Sequence, residues 1–176
     1  GEEKAKEGKI VTFGIVPDTP HIGFGYIEAE TKATEGSVIK SFTEKPDINT
    51  ATTYVESGRY YWNSGMFMFS VKKFLQEMNE FAPDILSACQ LAYNTQYRDL
   101  DFVRINEEDF NKCRSESIDY AIMEKTDDAY VIPLDAGWSD LGSWTAVQET
   151  GDFCDNGNTL QGDVVEVDCK ETFIHS

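Results

Sequence analysis

The sequence contains no run of lysine or arginine. Its 15 basic residues are outnumbered by 32 acidic ones, for a formal charge of −17. A protein that grips nucleic acid needs clustered cations to displace phosphate counterions, so a nucleic-acid partner is excluded. Histidine is scarce, at 2 residues, and the 4 cysteines (Cys89, Cys113, Cys154 and Cys169) are widely spaced without a C-x-x-C pair. That pattern argues against a zinc centre and against a disulfide framework, and it suits free thiols in a reducing compartment. No apolar run approaches the roughly 20 residues of a membrane span. The opening Gly1-Glu2-Glu3-Lys4 is polar and lacks the apolar stretch of a secretory signal. A cytoplasmic chain without a membrane partner is expected.

What is there is enough for one folded domain. Hydrophobic residues make up 40% and aromatics 12% of 176 positions, which supports a real core. Glu2 to Gly8 reads as the end of a helix stopped by glycine. Short apolar runs at 9–16, 24–30, 38–42, 66–69 and 129–134 read as strands. Between them, Asp47 is placed to cap a helix through Glu56 closed by Gly58, and Ser143 to cap one from Trp144 to Glu149. Helical spacing covers 71–81, and Pro83 opens a further helix. Shorter helices are expected at 107–113 and 118–125, and an aromatic loop at 60–65. Strands alternating with helices indicate an α/β layered domain, though not a regular doubly wound sheet. Beyond a polar linker at 151–157, residues 159–176 read as two short strands that cannot stabilise themselves.

Four segments carry groups suited to binding. In Gly23-Phe24-Gly25-Tyr26-Ile27-Glu28 the glycines let backbone approach a ligand, although an ordinary turn would use them equally well. Glu44-Lys45-Pro46 ends a strand. A carboxylate there can accept hydrogen bonds from sugar hydroxyls, and the ammonium beside it can hold a phosphate as a point charge. Neighbours on a strand face opposite ways, so both can serve only if the strand is ending or bent. In Trp62-Asn63-Ser64-Gly65, Asn63 offers a donor and an acceptor and Gly65 permits close approach; simple core packing is the alternative. The loop from Asp135 to Trp144 enters a helix with Asp140 and Ser143 both available as caps, so one of them is free for another task. An aspartate so placed suits Mg²⁺, which takes one or two carboxylates together with substrate phosphates.

Each signal is modest alone, but their order is specific. G-F-G-Y-I-E, F-x-E-K-P, Y-Y-W-N-S-G-M-F, S-I-D-Y-A-I-M-E-K-T and G-W-S-D-L-G-S-W follow one another along the chain. The series resembles bacterial mannose-1-phosphate guanylyltransferases and, more broadly, the sugar-phosphate nucleotidyltransferases, over about residues 9 to 176. The resemblance implies an α/β fold: a partial Rossmann-like nucleotidyltransferase domain with a mixed sheet and flanking helices, over residues 1–155. Residues 156–176 would then be the first strands of a β-helix-like segment. It implies that GTP and mannose 1-phosphate give GDP-mannose and pyrophosphate, with Mg²⁺ as cofactor. Gly25, Tyr26, Glu44, Lys45, Asn63 and Gly65 would bind substrate. Lys45 and Asp140 would be catalytic, Asp140 as the metal ligand, and a homodimeric parent is the assembly expectation.

The chain departs from the family pattern in one large respect. No G-x-G-x-R-x-x-P loop for nucleotide phosphates occurs in it, because Gly23-Phe24-Gly25 lacks the following Arg and Pro. The chain is therefore expected to be the C-terminal, sugar-binding part of a catalytic domain and inactive alone. The rivals are an enzyme acting on another hexose 1-phosphate and a non-catalytic sugar-phosphate-binding module.

Overall fold

The computed structural model describes residues 1–31 and 34–176. They form two compact units, Gly1–Asp135 and Ala136–Ser176.

The first unit is built on β1 (Ile10–Ile15), β2 (Gly25–Ala29), β3 (Ser37–Glu44), β4 (Tyr60–Met68) and a later strand, Ala129–Pro133, that follows a short hairpin. That hairpin is β5 (Tyr97–Asp99) and β6 (Phe102–Arg104), which makes the later strand β7. The ladders run β1-β4-β2-β3-β7 and close back onto β1. Within this sheet β1 and β7 pair in parallel and the other ladders are antiparallel, so the sheet is mixed.

The helices are α1 (Glu2–Lys6), α2 (Ile48–Ser57), α3 (Val71–Phe81), α4 (Pro83–Asn94) and α5 (Glu107–Phe110). Their limits follow local chemistry. The Asp47 carboxylate accepts hydrogen bonds from the Asn49 and Thr50 backbone N–H groups, and Gly58 closes α2 in the left-handed region at φ 64°. Ser70 caps α3 through the Lys73 N–H. The main core packs Ile10, Ile27, Phe42, Tyr61, Met78, Ile122 and Val131, and a smaller one gathers Tyr26 and Trp62 against Ala51 of α2. Residues of β2 alternate between the two, Ile27 to the first and Tyr26 to the second, which is why all of β2 is buried.

In this unit two expectations need correction, and one hairpin was not expected. The segment 60–65 is not a loop but the first half of β4, since Tyr60, Tyr61 and Trp62 are strong strand formers. What resembles a break is a bulge: Ser64, Gly65 and Met66 stand opposite Phe13 alone, between the Thr12–Phe67 and Gly14–Asn63 pairs. The β5–β6 hairpin is absent from the sequence reading because its turn residue Leu100 takes φ 53°, where glycine or asparagine is the usual signal. The helix expected at 118–125 is a π-helical turn, Asp119–Met123, with Ala121, Ile122 and Met123 all buried.

The second unit carries α6 (Trp144–Glu149), with Ser143 Oγ accepting from the Ala146 N–H at 3.1 Å. Its strands β8 (Thr159–Gln161) and β9 (Phe173–His175) pair in parallel. The connection between them contains no helix and is tied down by the fully buried Asn158. Its amide donates to the Glu166 carboxylate at 2.5 Å and the Cys169 carbonyl at 3.0 Å, and its oxygen accepts from the Thr172 N–H at 2.9 Å. Val165 and Val167, expected on strands, lie exposed in that connection. Among the described residues no helix is long and apolar enough to cross a membrane.

Candidate functional site

The carboxyl end of β3 meets the start of β2 and the bulge of β4, and three of the residues singled out in the sequence converge there. Gly25 pairs with Glu44 in the β2–β3 ladder. A Cβ on Gly25 would lie 2.5 Å from Glu44 Oε2 and 3.3 Å from the Asn63 Cβ. The missing side chain is thus the space that the Glu44 carboxylate occupies, and any larger residue would displace it.

Lys45 joins the group through backbone strain. It adopts φ 47°, the left-handed region that costs a residue with a Cβ. The turn ends β3 and brings the Lys45 ammonium back to Glu44 Oε1 at 3.2 Å, while its backbone N–H donates to the Phe24 carbonyl at 3.2 Å. Two neighbours that a regular strand would send to opposite faces therefore act on one side. The Glu44 side chain is 10% exposed and the Lys45 side chain 58%, so the carboxylate is buried while the ammonium reaches solvent.

Asn63 is a polar hub beneath them. Its Oδ1 accepts from Thr12 Oγ1 at 2.8 Å and from the Gly65 N–H at 3.3 Å, and its Nδ2 donates to Asp119 Oδ1 at 3.0 Å. Gly65 contributes through its backbone, at φ 73° with open space where a Cβ would be; it shapes the bulge that turns its own N–H onto Asn63. Tyr26 is not brought to this group. It is fully buried on the α2 side of β2, its hydroxyl donating to the His21 carbonyl at 3.0 Å. There it supports the loop in which His21 stacks on Phe24 with ring centroids 3.9 Å apart.

Two further acids enter from the π-helical turn. Asp119 holds Asn63, and Glu124 Oε1 accepts from the Glu44 backbone N–H at 3.1 Å. Burial is the first cause that raises the Glu44 pKa above its ordinary 4.5, with Asp119 and Glu124 adding to it and Lys45 opposing. Sequence reasoning quoted both acids inside S-I-D-Y-A-I-M-E but assigned them no task. The available signal was a fully apolar trio bracketed by carboxylates.

Asp140 lies in the second unit, exposed, with Oδ1 accepting from the Gly142 N–H at 3.0 Å. Ser143, not Asp140, caps α6. The aspartate is therefore spared capping duty and keeps a hard carboxylate oxygen, which fits one ligand position of an Mg²⁺ completed by phosphates. No cluster of three or more His, Cys, Asp or Glu side chains suited to a metal occurs among the described residues.

The family model described as nucleotidyl transferase matches residues 2–156. The chain is 48% identical over 171 residues to the xanthan biosynthesis protein XanB of Xanthomonas campestris pv. campestris (strain B100), covering 97% of this chain and 36% of that protein. It is 46% identical over 179 residues to a mannose-1-phosphate guanylyltransferase of Salmonella montevideo, covering 98% and 38%. Among solved structures, a mannose-1-phosphate geranyltransferase from Thermus thermophilus matches with a TM-score of 0.75 at 27% identity, over 92% of this chain and 45% of that one. The chain thus spans little more than a third of the length of these curated relatives. On the motifs, the mixed sheet with its helices and the family match together, the chain belongs to the nucleotidyl transferase family.

Proposed function

We propose that this chain is the sugar-binding part of a mannose-1-phosphate guanylyltransferase, which joins GTP and mannose 1-phosphate into GDP-mannose and pyrophosphate. The observation that carries the reading is the convergence of Gly25, Glu44 and Asn63 with the exposed Lys45 ammonium beside Glu44. A buried carboxylate beside an exposed cation suits a ligand with hydroxyls at one end and a phosphate at the other. Glu44 accepts hydrogen bonds from the mannose hydroxyls and Lys45 meets the phosphate. Relatives of 46% identity or more that are named mannose-1-phosphate guanylyltransferase favour mannose over another hexose.

The residues need supply no general base. The nucleophile is a phosphate oxygen that is already ionised near neutral pH, so the task is alignment for in-line attack on the α-phosphorus of GTP. Lys45 holds the attacking phosphate and lowers its repulsion from the triphosphate. Asp140 would hold Mg²⁺, which when bound neutralises charge on the phosphates. The loop that cradles the nucleotide phosphates is not among these 176 residues, so catalysis draws on groups outside them. Residues 1–155 are read as part of the catalytic domain and 156–176 as the start of a β-helical segment. The helix-free parallel pairing of β8 and β9, and a family match ending at residue 156, support that division. A cytoplasmic homodimer remains the expectation for the whole protein.

The test is GDP-mannose formation by the intact protein that carries this chain, followed by pyrophosphate release with mannose 1-phosphate or glucose 1-phosphate as acceptor. Turnover preferring mannose 1-phosphate, lost in Asp140→Asn, is expected, with no turnover by the 176 residues alone. Binding of mannose 1-phosphate without turnover in the intact protein would replace the enzyme by a sugar-phosphate sensor.

A further inference from the structure

The π-helical turn Asp119–Met123 stands out because it brings charge to the subsite from a part of the chain that the sequence motifs for sugar binding do not include. Its backbone closes i to i+5, with the Glu124 N–H donating to the Asp119 carbonyl at 3.0 Å. In an α-helix, residues five apart point well away from each other; the wider turn lets both acids reach the same neighbourhood, Asp119 onto Asn63 and Glu124 onto the Glu44 backbone.

We infer that Asp119 is a positioning residue that sets the hydrogen-bonding polarity of the hexose subsite by locking the Asn63 side-chain amide in one orientation. This rests on the sugar-phosphate reading above. An asparagine amide has an acceptor end and a donor end, and either can face a given neighbour unless the surroundings decide. Here they decide twice. The Gly65 N–H can only donate, so it demands Oδ1; Asp119 Oδ1 accepts, so it demands Nδ2. Thr12 Oγ1, which is fully buried, sits on the Oδ1 side as well.

The consequence concerns what is left for a ligand. Oδ1 accepts from the Gly65 N–H and faces Thr12 Oγ1, whose hydroxyl also lies 3.2 Å from the Met66 carbonyl; with one Nδ2 hydrogen given to Asp119, the second Nδ2 hydrogen has no partner among the described residues. Asn63 then has a donor left over and Glu44 an acceptor, and both side chains lie against Gly25, Asn63 through its Cβ and Glu44 through Oε2. A sugar hydroxyl both donates and accepts, so such a pair reads the position of a hydroxyl rather than its mere presence. Sites built to hydrogen-bond a hydroxyl discriminate strongly, because the wrong epimer leaves buried polar groups unpaired.

The experiment uses the intact protein and reads KM for mannose 1-phosphate and for GTP separately, together with the preference for mannose 1-phosphate over glucose 1-phosphate and the melting temperature. Asp119→Ala removes the acceptor. It is expected to raise KM for mannose 1-phosphate by about tenfold, the loss typical of a charge-assisted hydrogen bond, and to erode the preference while leaving KM for GTP unchanged. Asp119→Asn can still turn an oxygen toward Asn63 and is expected to rescue most of that loss. If Asp119→Ala does not fold, the swap Asn63→Asp with Asp119→Asn decides. It restores the hydrogen bond with the donor reversed, so stability should return while mannose 1-phosphate binding does not. Equal loss of both KM values and of melting temperature, or a swap that recovers full binding, would overturn the inference. Wild-type protein that turns over no mannose 1-phosphate would remove the underlying reading as well, whereas an active wild type with an unaffected Asp119→Ala removes only the role of Asp119.

Discussion

Two clusters of lysine and carboxylate lie in the Gly1–Asp135 unit, and they differ in charge balance. In one, Asp128 bridges Lys9 at 2.6 Å and Lys73 at 2.5 Å, and Lys73 continues to Glu77 at 2.5 Å. Two cations face two anions, and Lys73 and Glu77 are largely buried. In the other, Glu44 pairs with the exposed Lys45, and Asp119 and Glu124 stand close to Glu44. The balanced cluster holds α3 to the start of β1 and β7, and hydrogen bonds from Lys73 and Lys9 keep the Asp128 pKa below its ordinary 3.8. In the unbalanced one burial, with Asp119 and Glu124 adding to it, raises the Glu44 pKa, and the backbone at Lys45 lies in the left-handed region. A cluster that neutralises itself serves the fold. One that keeps surplus acceptors beside an exposed cation, at a cost in strain, is the one proposed above to bind substrate.

The comparison breaks most visibly at Gly25. Gly25→Ala places a methyl 2.5 Å from Glu44 Oε2. A displacement of this kind is expected to lower kcat/KM for mannose 1-phosphate on the order of 100-fold. Steady-state kinetics of the intact protein would check it, and near-normal kinetics would mean that Glu44 need not stand where it does. In the balanced cluster the effect should fall on stability instead. Lys73→Ala leaves the buried Glu77, one of whose oxygens already lacks a partner among the described residues, without its cation. We expect a loss of about 2 kcal/mol in urea unfolding, allowing for the half-exposed Asp128, with KM for mannose 1-phosphate unchanged.

Lys45→Gly should separate strain from function in one variant. KM for mannose 1-phosphate rises by about tenfold as the charge is lost, while the melting temperature rises slightly because glycine accepts positive φ freely. A fall in melting temperature would mean that the Lys45–Glu44 contact outweighs the strain.

The smallest effect is in acid. Asp128 has a depressed folded pKa, so it binds its proton less readily when folded. Its contribution is present above the unfolded value near 3.8 and is lost as pH falls through the folded one. Glu44 has the opposite sign: its folded pKa is raised, so its contribution declines as pH climbs from 4.5 through the folded value. Asp128→Asn should therefore flatten the acid loss of stability, and Glu44→Gln should remove the decline above pH 4.5. Urea midpoints across the acid range would show either.

Much of the framework was legible because its signals are local. The capping aspartate or serine at Asp47 and Ser143, the closing Gly58 and the apolar periodicity of 71–81 act over a few residues, and the corresponding helices begin and end where they indicate. The site was legible only as an inventory. Glu44, Lys45, Asn63 and Gly25 could be named as suitable groups, but Tyr26 could not be told from Gly25 until the alternation of β2 sent its ring to the α2 side. The β4 bulge reads as a loop in the sequence because one glycine and one serine look like a break when no partner strand is known.

By itself the sequence determined which chemical groups are present, the helix limits, the absence of any basic run and, through the order of its motifs, the family. The tertiary structure alone decided which of those groups meet. Residues as distant in the chain as Thr12, Asn63 and Asp119 share hydrogen bonds because the ladders that pair β1 with β4, and the core packing beneath the π-helical turn, bring them together. Long-range pairing of this kind depends on burying apolar surface across the whole sheet, and no window of neighbouring residues carries that information.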